Sequence, residues 1–215
     1  MSTRILLADD HTLMREGLRS IIEQDIRMTV VGQAADGREV IALAEKLEPD
    51  IIVMDVHMPI MNGIDATREL RPRFERIKII ALSMHREANF IAEMFKAGAH
   101  AYVLKHCALE ELERAIQCVL SGKKYLSADL TDLVIEGYVH SKHSECADTS
   151  QELTPKERNV LQLIAEGKST KEIADLLHIS ISTVESHRQH IMEKTNLHSV
   201  AELTRHAIKI GLTEL

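Results

Sequence analysis

The 215-residue chain has no apolar run approaching the roughly 20 residues that a membrane-crossing helix needs. A strand-like pattern begins at Ile5 with no leader layout before it, so the expected compartment is the cytoplasm and no membrane partner is expected. Cysteine is scarce: Cys107, Cys118 and Cys146 make neither a CxxC pair nor a disulfide framework, which fits reducing surroundings. The HExxH pattern is missing, and the twelve histidines read as scattered surface and core residues, not as a structural zinc site. No repeat of solenoid period and no low-complexity tract occurs. A basic excess is lacking as well: net charge is −7, and residues 151–215 hold eight basic and nine acidic side chains. Any contact with nucleic acid therefore has to come from a local face and not from bulk charge.

What is present suits two globular domains. Apolar residues make up 45% and charged residues 27%, ordinary usage for a chain that buries cores. From Ile5 to Leu104 the short apolar runs ILLAD, MTVVGQA, DIIVMDV, KIIALS and AYVLK alternate with amphipathic stretches at His11–Gln24, Gly37–Glu48, Ile64–Phe74, Arg86–Ala97 and Ala108–Leu120. This βα alternation predicts a doubly wound α/β fold with a five-stranded parallel sheet over residues 1–122. DIIVMDV and KIIALS are apolar throughout, as strands covered on both faces must be. A linker over 123–150 follows, with a helix expected at Ser127–Tyr138 and a polar stretch after it. Over 151–215 the strands vanish and four helices are expected, the first opened by Thr154-Pro155-Lys156-Glu157, a capping box with proline at the first helical position. The second part is thus a smaller all-α domain.

Polar residues stand where the apolar strands end: Asp9 and Asp10 after ILLA, Asp55 after IIVM, Ser83 after IIAL and Lys105 after AYVL. In an open parallel sheet, ligands bind outside the carboxyl ends of the strands, so these groups should converge on one pocket. Three carboxylates together repel one another unless a hard cation neutralises them, and such oxygen donors suit Mg2+. A lysine and a hydroxyl beside them suit a phosphoryl group, and Asp55 is the natural nucleophile because it ends the central strand.

The motifs LLADDH, VMDVHMPIMNG, ALS and GAHAYVLK resemble the bacterial receiver domain over residues 3–122. That resemblance implies a flavodoxin-like fold in which Asp10, Asp55 and the backbone carbonyl of His57 ligate Mg2+ and Asp9 assists. It implies that Asp55 accepts a phosphoryl group from a histidine kinase, that Ser83 and Lys105 bind its oxygens, and that Tyr102 acts as the switch residue. An aspartate-nucleophile phosphohydrolase usually carries a second carboxylate two residues after the nucleophile; His57 stands there, so a regulator is expected and not an enzyme.

In IADLLHISISTVESHRQHIMEK, Ile173, Leu176 and Leu177 mark one helix face, Ile179 fills a turn, and Val184 and Ile191 mark the inner face of the next helix. That spacing fits a helix-turn-helix, and equally a helical bundle with solvated charges. Glu185, Ser186 and Gln189 point away from the apolar stripe, His187 and Arg188 flank it, and Lys168, Lys171 and Lys194 add charge at the ends. The stretch from Leu153 to Leu197 resembles the LuxR-type helix-turn-helix, and the two parts together resemble the NarL/FixJ subfamily of response regulators. The resemblance implies a transcription regulator that binds double-stranded DNA, with Glu185, Ser186 and Gln189 in the major groove and a homodimer on DNA. Glu185 departs from the lysine common there; it could accept from cytosine or close a cap with Ser182. Val200, Leu203, Ala207 and Ile210 share a helix face that suits either a dimer seam or a core.

Overall fold

The computed structural model describes residues 2–135 and 153–213 and separates into two bodies, an α/β body and a helical body. In the first, strands β1 (Thr3–Ala8), β2 (Met28–Ala34), β3 (Ile51–Asp55), β4 (Lys78–Ser83), β5 (Ala101–Leu104) and β6 (Tyr125–Leu126) form one parallel sheet in the order β2-β1-β3-β4-β5-β6. The crossovers are α1 (Thr12–Ile22), α2 (Gly37–Leu47), α3 (Gly63–Arg73), α4 (Ala88–Ala97) and α5 (Ala108–Leu120).

Side chains alternate across the strands, so the two faces have separate cores. Ile5, Leu7, Ile51, Val53, Ile80, Leu82 and Val103 pack with Leu18 and Ile22 of α1 and Leu112 and Ile116 of α5. Their neighbours Leu6, Ile52, Met54, Ile79 and Ala81 are equally buried on the opposite face. Each such aliphatic side chain contributes roughly 1.5–3 kcal/mol. This two-sided burial is why the central strands carry no polar residue until their ends.

The α/β body does not stop at residue 122. The two-residue strand β6 pairs with β5, Ser127 and Leu130 are fully buried, and a 3-10 turn at Ala128–Leu130 stands where the linker helix was expected. The sheet therefore has six strands, one more than expected. Strand β6 is too short for periodicity to reveal. Helical backbone resumes at 131–135; the rest of the expected linker helix and the polar stretch lie outside the described residues, as does Cys146.

The second body consists of α6 (Pro155–Ala165), α7 (Thr170–Leu177), α8 (Ile181–Thr195) and α9 (Val200–Lys209) around Val160, Leu161, Leu163, Ile164, Ile173, Val184, Ile191, Leu203 and Ala207. Thr154 forms the expected capping box with Glu157, and Ser169 forms a second one with Glu172. His178 ends α7 in the left-handed conformation, φ 54°, Ile179 packs on the core, and Ser180 caps α8 by accepting the Thr183 N–H. That is a helix-turn-helix in α7 and α8.

Candidate functional site

In the order β2-β1-β3, the strand following β1 lies on one side and the one after that on the other, so the sheet has its topological switch point between β1 and β3. The carboxyl ends of these two strands deliver Asp9, Asp10 and Asp55 to that crevice. Asp9 and Asp55 are buried, while Asp10 is partly exposed. One donor atom from each of Asp9, Asp10, His11 and Asp55 lies within 4.8 Å of the others.

The Lys105 ammonium, which follows β5, bridges the two buried carboxylates, 2.7 Å from Asp55 Oδ2 and 2.8 Å from Asp9 Oδ2. The backbone N–H of His57 donates to Asp55 Oδ1 at 3.1 Å, and that of His11 to Asp9 Oδ1 at 2.8 Å. Burial pushes the Asp55 carboxyl up to about 7; Lys105 opposes the rise and the neighbouring Asp9 charge adds to it. Burial acts to lower Lys105, but the charges and hydrogen bonds of Asp55 and Asp9 prevail and hold its ammonium above the usual lysine value.

The turn after β3 is built to approach this site closely. Asn62 caps α3 by accepting the Asp65 N–H, and Gly63 donates its N–H to the Val56 carbonyl at 2.9 Å. A Cβ at Gly63 would stand 2.1 Å from the Asp55 carbonyl oxygen, so only glycine lets α3 begin so near the strand end.

Ser83 ends β4, fully buried, and its Oγ accepts the His85 N–H at 3.0 Å. The Tyr102 phenol, fully buried in β5, donates to the His85 carbonyl at 3.1 Å and is also hydrogen-bonded to the Ser83 side chain. Burial pushes that phenol well above its ordinary pKa. Asp9, Asp55, Ser83, Lys105 and Tyr102 thus occupy one connected edge. Sequence reasoning missed His11, His85 and Phe90 among its neighbours and the aromatic role of the His57 ring. His11 joins the acidic cluster, while His57, His85 and Phe90 form an aromatic group with ring centroids 4.6, 4.7 and 5.2 Å apart. The available signal was an offset: His57 follows Asp55 by two residues as His85 follows Ser83 by two.

The helical body offers a second candidate face on α8. The Ser186 Oγ donates to the Ser182 carbonyl at 3.0 Å, and Gln189 Nε2 to Glu193 Oε1 at 2.9 Å along the same helix. Thr170 at the start of α7 ties two other positions together, donating to Glu185 Oε1 at 3.0 Å and accepting from Arg188 at 3.1 Å. Ser180 caps the helix, not Ser182, so Glu185 is held across to α7 instead of closing a box. Lys171 lies in the first turn of α7, exposed. Lys194 turns inward instead, its ammonium 2.7 Å from Glu157 Oε2. Leu203 and Ala207 are core residues, whereas Val200 is 51% exposed.

The model of the response regulator receiver domain family matches residues 5–117, and that of the bacterial regulatory proteins of the luxR family matches residues 151–207. The oxygen regulatory protein NreC of Staphylococcus aureus is 36% identical over 215 residues, covering 98% of this chain and 99% of that protein. RcsB from Salmonella enterica serovar Typhimurium, solved on a promoter with the phosphomimetic BeF3−, aligns over 100% of both chains with 25% identity and a TM-score of 0.60. Another RcsB structure, with two dimers on two parallel DNAs, gives 26% identity and a TM-score of 0.60 over 98% of this chain and 99% of that one. With a receiver sheet, a helix-turn-helix and relatives matched along nearly the whole length, the chain belongs to the two-component response regulators of the NarL/FixJ type, transcription regulators that join a receiver domain to a LuxR-type DNA-binding domain.

Proposed function

We propose that Asp55 is the phosphoacceptor and that its phosphorylation by a histidine kinase controls promoter binding through α8. The observation that carries this reading is the convergence of Asp55, Asp9 and Lys105 at the switch-point edge, within 2.8 Å of a shared ammonium. The donor set fits Mg2+: carboxylate oxygens of Asp9, Asp10 and Asp55 close together, hard ligands for a hard cation. Asp10 and Asp55 would hold the ion directly, with the His57 carbonyl, and Asp9 would assist from beside them. When bound, Mg2+ neutralises the carboxylates and the incoming phosphoryl oxygens.

An Asp55 carboxylate oxygen attacks phosphorus; the new O–P bond forms as the P–N bond to the kinase imidazole breaks, and the imidazole leaves with the electron pair of that bond. Lys105 favours the ionised form of Asp55 against burial before transfer and re-pairs with a phosphoryl oxygen afterwards. Ser83 is placed to donate its hydroxyl to another. Its hydrogen bond with Tyr102 then gives way, which couples the pocket to the phenol and through it to the His85 backbone. The phosphoryl group carries about −1.5 to −2, by analogy with other phosphoresidues, in place of the single carboxylate charge that it consumes. Only this two-state shift is needed; the protein acts as a regulator and not as a turnover enzyme.

On the DNA side, Glu185, Ser186 and Gln189 would read base edges, while His187, Arg188 and Lys171 would reach phosphates. The inward pairing of Lys194 with Glu157 favours a structural part for it in this state. Exposed Val200 supports the α9 face as the seam of a homodimer on DNA. Selection from a random duplex pool tests the whole reading. Sequence-specific retention should grow with a small phosphodonor plus Mg2+ in the wild type and not in Asp55→Ala; specific binding indifferent to Asp55 would sink the phosphoacceptor role.

A further inference from the structure

Two histidines of α8, His187 and His190, lie three residues apart, so their imidazoles emerge from one face of the helix. Glu157, on the facing helix α6, completes a trio in which one donor atom from each residue lies within 4.8 Å of the others. The carboxylate is buried, with a side-chain exposure of 5%, and it is already oriented: Oε2 accepts the Thr154 N–H at 2.7 Å and the Lys194 ammonium at 2.7 Å. Oε1 faces His190 Nδ1 at 4.0 Å.

We propose that Glu157, His187 and His190 form a binding site for a divalent transition metal of the zinc class. Two imidazoles and one carboxylate are a donor set that binds zinc with a fourth position left to water. Imidazole also discriminates against Mg2+, which the aspartate pocket suits better, so the two sites call for different ions. Donors around a tetrahedral zinc stand roughly 3.3–3.6 Å apart, given metal–ligand bonds of about 2.0–2.2 Å. Rotation of the two imidazoles closes the remaining gap; the His190 side chain is 58% exposed. The hydrogen bond from the Thr154 N–H plays the part of an outer-shell partner, fixing the carboxylate while Oε1 turns to the ion. Lys194, beside the ion, swings toward solvent as the metal replaces its charge. The bound ion staples α8 to α6 and withdraws His187 from the side chains available to phosphate. The site stands on the geometry of α6 and α8 and holds whether or not α8 reads DNA.

The test is competition for Zn2+ between the full-length protein and a chromophoric chelator, in excess Mg2+ to fill the aspartate pocket. Wild type is compared with His187→Ala/His190→Ala and with Glu157→Gln. Alanine favours the helix, and glutamine retains the capping-box partner of Thr154, so both variants should keep their far-UV circular dichroism. Loss of outer-shell partners alone costs about 10- to 100-fold in metal affinity, so loss of direct ligands should cost at least about tenfold in each variant. The His106, Cys107 and Asp129 cluster on the other body is unchanged in all three proteins and cancels from the comparison. Wild-type zinc affinity retained by either folded variant overturns the proposal, as does a wild type that takes no zinc from the chelator.

Discussion

The Lys105 ammonium stands 2.7 Å from Asp55 Oδ2 and 2.8 Å from Asp9 Oδ2, so one lysine from the end of β5 bridges carboxylates from two other strands. Removing it leaves two buried acids facing each other. In Lys105→Met, Asp55 should titrate above its wild-type value of about 7, because the charge that opposes the rise is gone. Side-chain carboxyl NMR reads the midpoint, and phosphodonor labelling at neutral pH should slow. A midpoint at or below the wild-type value contradicts the assignment.

Asp55 also makes a signed prediction for stability in chelator-containing buffer. Its carboxyl binds a proton more tightly when folded, at about 7, than at its ordinary value of 3.8, so the native state holds the extra proton between those pH values. Its contribution is fully present below 3.8 and is lost as pH rises through about 7, a loss on the order of a few kcal/mol. Asp55→Asn removes the titration. The melting-temperature difference in favour of the variant should grow from pH 4 to 7; a constant difference argues against the raised value.

His100 works in the opposite direction. Burial, with Lys124, Lys78 and Arg71 nearby, lowers its imidazole from 6.5 to about 4, and Nδ1 accepts the Ile79 N–H at 3.2 Å. The unfolded chain takes up this proton first, so the contribution is present above 6.5 and lost as pH falls through about 4. His100→Asn offers an acceptor near the same place without titrating, so it should melt with a weaker acid dependence than wild type over that window.

Gly63→Ala puts a methyl 2.1 Å from the Asp55 carbonyl oxygen and 2.9 Å from Met54 Cγ. The loss should be about 3 kcal/mol, the upper end for overpacking, because the obstacle is backbone. At Gly17, within α1, a Cβ meets nothing within 4 Å, and alanine there should stabilise by about 0.5–1 kcal/mol. Urea midpoints of the two variants moving the same way would refute the contrast.

If Arg188 reaches phosphate when α8 meets DNA, Arg188→Ala should weaken binding to all sequences alike and reduce the salt slope by about 1. Ser186→Ala and Gln189→Ala should instead relax preference at single base positions. Fluorescence anisotropy at several salt concentrations separates these; an unchanged slope places Arg188 with Thr170, as a structural contact only.

The order of elements, the strand ends bearing Asp9, Asp10, Asp55, Ser83 and Lys105, and the caps at Thr154 and Ser169 were legible in the chain itself. Strand and helix periods are local, and a parallel sheet sends every strand's carboxyl end to the same edge. Strand β6 was not legible: two residues carry no period, and Tyr125–Leu126 becomes a strand only because β5 offers an unpaired edge. The dimer-or-core ambiguity on α9 likewise needed packing, which buries Leu203 and Ala207 and leaves Val200 outside. Lys194 looked like an outward cation until α6 brought Glu157 beneath it, and the same approach gave His187 and His190 a third donor. Contacts between residues some thirty positions apart depend on how two helices cross, which no local pattern encodes, whereas the kind of fold and the chemistry at the strand ends follow from local order and chain direction alone.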